Sequence, residues 1–252
     1  MIPVRVQDTD GGQANVEVNV TVNNVAPTFT VAPSATGGSE GTDAAQISIT
    51  ASDVSSVDAA ALTYEVNWGD GSNLVTSSSS TVSHTYGDNG TYTASVKVMD
   101  KDGGSATSSA VSIAVTNVNP TIVSAVVTAG AERTSEASIV ITAGDASAAD
   151  RAAGFTYTVD WGDGTAAQNS SSSQLSHMYL NEGPFTASVT VTDKDGGSVT
   201  DAAVAVTVTN TLPEIVHVAV TGNKTEGSVI SAVPTVTMPS MPGLEYSFDW
   251  GD

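Results

Sequence analysis

Apolar residues recur at every second position in short runs along almost the whole chain, and Gly/Asp turns interrupt the runs. Val4 and Val6 lead into Asp8-Thr9-Asp10-Gly11-Gly12, and Val16, Val18, Val20 and Val22 follow. Successive side chains of a strand point to opposite faces, so period-two spacing across such a turn predicts a hairpin. Phe29 and Val31 predict a first strand of the next stretch, and Ile47, Ile49 and Ala51 alternate into Asp53. Tyr64, Val66 and Trp68 alternate into Gly69-Asp70-Gly71, a turn whose residues suit positive φ. Leu74-Val75 and the serine run after them predict a weak edge strand and a loop. Val82, His84 and Tyr86 come next, then Tyr92, Ala94, Val96 and Val98, then Val111, Ile113 and Val115. No stretch sustains a 3.6-residue period, so no long helix is predicted. Ala59-Ala60-Ala61 and Ala146–Ala153 are candidates for a single helical turn.

The pattern repeats. Tyr64-Glu65-Val66-Asn67-Trp68-Gly69-Asp70-Gly71 returns as Tyr157-Thr158-Val159-Asp160-Trp161-Gly162-Asp163-Gly164 and begins again at Tyr246, Phe248 and Trp250. Trp68 and Trp161 are 93 residues apart, as are Pro27 and Pro120, and Pro120 and Pro213; Trp161 and Trp250 are 89 apart. His84-Thr85-Tyr86 recurs as His177-Met178-Tyr179, and Asp100-Lys101-Asp102-Gly103-Gly104 as Asp193-Lys194-Asp195-Gly196-Gly197. A fixed period of this kind marks a tandem array. Phased on the prolines, residues 26–118 and 119–211 are complete units, 1–25 is the C-terminal part of a truncated repeat, and 212–252 is the N-terminal part of another. About seven short strands per unit predict an all-β chain of tandem antiparallel β-sandwiches. The joints at Pro27, Pro120 and Pro213 carry no Gly/Ser spacer, and proline favours extended backbone before it. A direct passage from one strand to the next, and a semi-rigid array, are expected. In 212–252, Pro234, Pro239 and Pro242 predict a shortened or irregular second strand.

Charge narrows the partners. The chain has 27 acidic and 7 basic side chains, a net charge of −20, spread so that 26–118 and 119–211 each carry −7. Phosphate contact needs clustered Lys and Arg, so no nucleic-acid partner is expected, and anionic membrane surfaces are disfavoured likewise. A field of this sign favours solubility and cation capture. Without cysteine there is no disulfide framework and no thiolate chemistry. No apolar run reaches membrane-span length, so no membrane insertion is expected. The start, Met1-Ile2-Pro3-Val4-Arg5, shows no signal peptide.

Taken together, Tyr-x-Val-x-Trp-Gly-Asp-Gly (Tyr64–Gly71), His84-x-Tyr86, Gly90-Thr91-Tyr92-Thr93-Ala94-Ser95-Val96-Lys97-Val98, the Asp100–Gly104 turn and the closing Val-x-Asn-x-x-Pro resemble the PKD (polycystic kidney disease) domain. The resemblance covers nearly the whole chain. It implies tandem immunoglobulin-like, PKD-type sandwiches of the kind found in large bacterial surface or secreted proteins, used for adhesion, spacing or substrate contact. An extracellular or cell-surface location is implied by the resemblance alone. Pro184 departs from it, standing where the first unit has Thr91.

The tryptophans share the phase of the core-facing Tyr and Val positions, so burial rather than ligand stacking is expected. Asp70 and Asp163 are expected to close their turns through bonds to backbone N–H groups. His84 and His177 have no matching nucleophile and are expected to be packed and hydrogen-bonded; His217 has no counterpart in the other units. The informative set is acidic. Glu40, Asp53, Asp100 and Asp102 are matched with Glu136, Asp145, Asp193 and Asp195 as candidate metal ligands, with Asp58 and Asp150 as weaker additions. Calcium takes hard oxygens from carboxylates, carbonyls and water. By the resemblance, Asp53 with Asp100 and Asp145 with Asp193 are the pairs able to hold Ca2+. The alternative is that these acids only form turns. Features repeated in every unit belong to the fold or to a per-unit ligand, and no single-copy constellation suggests an enzyme. A non-catalytic structural or adhesive spacer, in contact with its neighbouring repeats, is expected; the alternative is an auxiliary polysaccharide- or protein-binding module of a secreted hydrolase.

Overall fold

In the computed structural model, residues 1–237 and 244–249 are described. Two compact units, Met1–Asn117 and Val118–Asp252, divide the chain. In the first, β1 (Ile2–Gln7) and β2 (Gln13–Val18) form an antiparallel ribbon in which Val4 faces Val16 and Ile2 faces Val18. Val20 and Val22 lie beyond β2, outside any strand. Then come β3 (Thr28–Thr36), β4 (Gly38–Ser39), β5 (Ala45–Ser52), α1 (Ser56–Ala59), β6 (Thr63–Asn67), β7 (Val75–Ser77), β8 (Thr81–His84), β9 (Gly90–Met99), β10 (Ser105–Thr107) and β11 (Val111–Thr116). One sheet has the order β3-β5-β8; the other runs β4-β11-β9-β6-β7, with β10 also on β9.

The second unit repeats this plan. β12 (Thr121–Thr128), β14 (Ala137–Gly144) and β17 (Gln174–His177) form one sheet. β13 (Gly130–Ala131), β19 (Ser198–Thr209), β18 (Gly183–Thr192), β15 (Thr156–Asp160) and β16 (Gln168–Ser170) form the other, in that spatial order. Between β14 and β15 lies α2 (Ala148–Ala153). β20 (Glu214–Gly222) and β21 (Ile230–Thr237) follow as an antiparallel ribbon.

The alternation read in the sequence sets the core. Ile47, Ile49, Val66, Trp68, Val96, Val98, Ile113 and Val115 close one core, and Ile139, Ile141, Val159, Trp161, Val189, Val191, Val206 and Val208 the other. Both tryptophans are fully buried, and Tyr86 and Tyr179 brace them by donating from Oη to the carbonyls of Trp68 and Trp161 at 2.9 Å. Burial pushes both phenols up to about 12. Val31 departs from its expected phase: bulges on either side of it in β3 turn it to solvent.

One proline expectation needs correction. β21 is not shortened at Pro234 but runs through it, pairing it with Val218, although the partner strand bulges between Ile215 and His217. In a two-stranded ribbon each strand has an open edge, where a missing N–H costs no ladder bond. Pro184 likewise sits in β18 beside Thr207, at a stretch that β15 does not reach. Pro239, Pro242 and Trp250 lie outside the described residues.

Candidate metal centre

The site is built from three sequence-local devices. The first is the Asp-x-Asp-Gly-Gly turn after the long strand of each unit. Asp100 Oδ1 accepts the backbone N–H groups of Asp102 (2.9 Å) and Gly104 (2.8 Å), and Asp193 Oδ1 accepts those of Asp195 (2.9 Å) and Gly197 (2.8 Å). Asp8 does the same in the first ribbon, at 3.1 Å to Asp10 and 2.6 Å to Gly12. The last glycine is obligatory for a close approach, since a Cβ at Gly104 would stand 2.3 Å from Asp100 Oδ2. The second oxygen of the leading aspartate lies against the last glycine of the turn. In the first unit Asn24 takes it, Nδ2 donating to Asp100 Oδ2 at 2.9 Å; this bond, with those from the turn, outweighs burial and holds the Asp100 carboxyl below its ordinary range.

The second device is Asp-x-Ser-x-x-Asp at the start of the short helix. Ser55 and Ser147 are N-caps, accepting the N–H groups of Asp58 (3.3 Å) and Asp150 (3.2 Å). In an ordinary capping box the acid three residues on would bond back to the cap's own N–H. Here that N–H is already taken: Ser55 donates to Asp53 Oδ1 and Ser147 to Asp145 Oδ1, both at 2.8 Å. The carboxylates of Asp58 and Asp150 are therefore released from the helix start and stay buried, Asp150 completely.

The third device is the lysine inside the turn. Lys101 Nζ lies 2.9 Å from Asp58 Oδ1, and Lys194 Nζ 2.9 Å from Asp150 Oδ1; each also pairs with the next residue, Asp102 or Asp195. The carboxylates of Asp102 and then Asp58 hold the Lys101 ammonium well above its ordinary range.

In the second unit these devices bring Asp145, Asp150 and Asp193 together, each offering a carboxylate oxygen within 4.8 Å of the others. Asp145 Oδ2 and Asp150 Oδ2 are buried and accept no hydrogen bond. In the first unit Asp53 and Asp58 line a cavity of about 770 Å³ with Lys101, Asp102 and the Val22–Val25 segment, and Asp53 Oδ2 is again buried without a hydrogen bond. Buried carboxylate oxygens lacking donors are costly unless a cation satisfies them. An all-oxygen, anionic donor set of this kind fits a hard divalent ion.

The remaining acids lie elsewhere. Glu40 is buried at the opposite end of β9, where Oε2 accepts the N–H of Asn89 at 2.8 Å. The ten residues of β9 separate it from Asp100, about 30 Å of extended chain. The match of Glu40 with Glu136 is corrected: the buried counterpart is Glu132, whose carboxylate accepts from the N–H groups of Glu182 (3.1 Å) and Thr211 (3.3 Å). Glu136 is exposed and accepts from the Ser176 hydroxyl on β17. Asp102 and Asp195 are exposed partners of the lysines. Asp150, Glu132 and the two lysines are what sequence reading underweighted or missed; the Asp-x-Ser-x-x-Asp spacing was the available signal for Asp150.

Asp70 and Asp163 close their turns as expected. Asp70 Oδ1 accepts from the N–H (3.0 Å) and hydroxyl (2.6 Å) of Ser72, and Oδ2 stands 2.7 Å from His84 Nε2. Burial would raise the Asp70 carboxyl, but the bonds from Ser72 and His84 outweigh it and hold it down to about 2. His84 stacks on Trp68 at 5.0 Å, and His177 on Trp161 at 5.3 Å with Asp163 Oδ2 2.7 Å from its Nε2.

The family described as the PKD domain matches residues 24–115 and 117–208. No curated protein matches the chain. Among solved structures, the fibronectin(III)-like modules of Clostridium thermocellum CbhA are 20% identical, with a TM-score of 0.28 over 73% of this chain and 94% of theirs. Drosophila N-cadherin EC1-3 is 20% identical, with a TM-score of 0.31 over 75% of this chain and 69% of that one. The N-terminal four Ig domains of Dscam1 are 14% identical, with a TM-score of 0.41 over 80% of this chain and 51% of that one. No helix among the described residues is long and apolar enough to cross a membrane.

Proposed function

The chain belongs to the PKD domain family, and on that premise we propose a structural role outside the cell. It is a non-catalytic repeat segment that acts as a semi-rigid spacer in a large bacterial surface or secreted protein, stiffened by calcium at one carboxylate cluster per unit. The observation that carries this reading is the coincidence of carboxylate oxygens of Asp145, Asp150 and Asp193 within 4.8 Å, with Asp145 Oδ2 and Asp150 Oδ2 buried and accepting no hydrogen bond. Asp145, Asp150 and Asp193 would hold the ion in the second unit; in the first, Asp53 and Asp58 would hold it, joined by Asp100 once Asn24 Nδ2 gives up Asp100 Oδ2. Their elements are far apart in sequence, so a shared ion would tie the short helix to the turn after the long strand. With extracellular-type affinities of roughly 10⁻⁴–10⁻³ M, tenfold saturation would stabilise each unit by about 1.4 kcal/mol. That is enough to stiffen an existing fold and too little to create one.

Nothing in the repeated polar clusters supports catalysis. Ser72, Asp70 and His84 make a hydrogen-bonded set, but the hydroxyl donates to Asp70 and not to the imidazole. A nucleophile needs the base at its proton. The buried tryptophans also remove the most obvious stacking platforms for a polysaccharide. Thermal melting of the chain in EDTA, in millimolar calcium and in millimolar magnesium tests the reading. A calcium-specific rise, lost in Asp145→Asn and Asp53→Asn together, is expected; equal curves in all three would remove the metal from it. Retention of the chain on chitin, cellulose or collagen would replace the spacer with the auxiliary binding module.

A further inference from the structure

Lys101 and Lys194 recur at one step in the chain, in the same turn and against the same buried aspartate. The turn itself does not need them. In the first ribbon Thr9 stands at the equivalent position, and Asp8 still collects the N–H groups of Asp10 and Gly12. The lysine is therefore there for the acids. Around Lys194 three carboxylates, Asp145, Asp150 and Asp193, meet one ammonium, which touches Asp150 Oδ1 while Asp150 Oδ2 remains buried without a hydrogen bond. Asp195, which also pairs with Lys194, is exposed and outside this cluster. Within it, three carboxylates and one ammonium leave a net charge of minus two, which one divalent cation balances.

We propose that Lys194, and Lys101 in the first unit, are built-in counter-cations that set the affinity and charge selectivity of the metal centres. This rests on the metal reading above and says what regulates that site. The ammonium neutralises one carboxylate, keeps the cluster together when no ion is bound, and holds divalent affinity below what three bare carboxylates would give. Because the interaction scales with the charge of the ion, its removal favours a trivalent ion more than a divalent one.

The test compares wild type with Lys194→Met and Lys194→Arg in the full chain, by equilibrium dialysis with calcium and with terbium. Lys194→Met is expected to tighten calcium at its unit by about tenfold and terbium by about thirtyfold, while lowering the melting temperature in EDTA. Lys194→Arg keeps wild-type affinities. If Lys194→Met does not fold, Lys194→Thr, which copies the side chain of the first ribbon, is measured in its place with the same expectation. Wild type without detectable calcium binding, beside a variant that binds, also supports the proposal. Calcium binding in wild type that is equal or weaker in the variant overturns it and leaves the metal reading standing. Absence of binding in every protein overturns both.

Discussion

Asp150→Asn separates a metal cluster from an ordinary buried ion pair. Asp150 is fully buried, 2.9 Å from Lys194 Nζ, and within 4.8 Å of carboxylate oxygens of both Asp145 and Asp193. At an effective dielectric of about 20, the pair with Lys194 at 2.9 Å is attractive by about 6 kcal/mol. Each carboxylate at the 4.8 Å limit repels by about 3.5 kcal/mol, so the two together repel by about 7. Neutralising Asp150 without changing its shape removes both, and the difference is about 1 kcal/mol. Breaking a buried ion pair that has no such repulsion costs about 3–5 kcal/mol. Urea denaturation in EDTA, followed by tryptophan fluorescence with wild type alongside, measures the quantity directly. Asp150→Asn is expected to lie within about 1–2 kcal/mol of wild type in EDTA and to lose any stabilisation by calcium. A loss above about 3 kcal/mol in EDTA would show that Asp150 serves as half of a structural pair, and the reasoning from mutual repulsion would fail.

Other outcomes follow from the same geometry. Gly162→Ala combines a φ of +75° with a Cβ 2.1 Å from the Thr186 carbonyl oxygen; a loss of about 2 kcal/mol or more is expected, read as a lower urea midpoint. Tyr179→Phe leaves the Trp161 carbonyl without its 2.9 Å donor and should cost about 1–3 kcal/mol by the same measurement. Ser147→Ala removes the cap of α2, with an expected cost of about 1 kcal/mol and weaker calcium response because Asp150 loses its placement. The Asp70 carboxyl is held down to about 2 in the folded chain against about 3.9 when unfolded. Between these values the unfolded chain binds more protons, so the Asp70 contribution is complete above about pH 4 and is lost as pH falls toward 2. Urea midpoints from pH 5 to pH 2 should fall less steeply in Asp70→Asn.

The sandwich was legible because its signal is periodic and doubled. Trp68 and Trp161 share the phase of Val66 and Val159, and that phase alone puts them in the core. Asp70 between two glycines could hardly act otherwise than as a turn former, since Gly69 at φ +78° packs against the Thr93 carbonyl with no room for a side chain. The site was legible only in part. Asp145 and Asp193 were visible at strand ends, but the burial of Asp150 depends on which carboxylate claims the Ser147 N–H, a local competition that residue types leave open. Glu40 was matched with Glu136, 96 residues on, whereas the residue that the packing buries is Glu132, 92 residues on and one short of the 93-residue step. The lysines were assigned no role from the sequence, where they are only the second residue of a repeated turn, and only the fold brings the acid of the short helix against them. Val31 shows the reverse case, an apolar alternation undone by two bulges.

Calcium titration of the 15N-labelled chain, followed amide by amide, tests the central claim most directly. The account predicts shifts that saturate at millimolar calcium and concentrate at Asp145–Asp150 and Asp193–Gly197, and at Asp53–Asp58 and Asp100–Gly104, with the Asp70 and Asp163 turns unmoved. Amides that stay still at those four segments, or that move only around exposed acids such as Glu136, would contradict it.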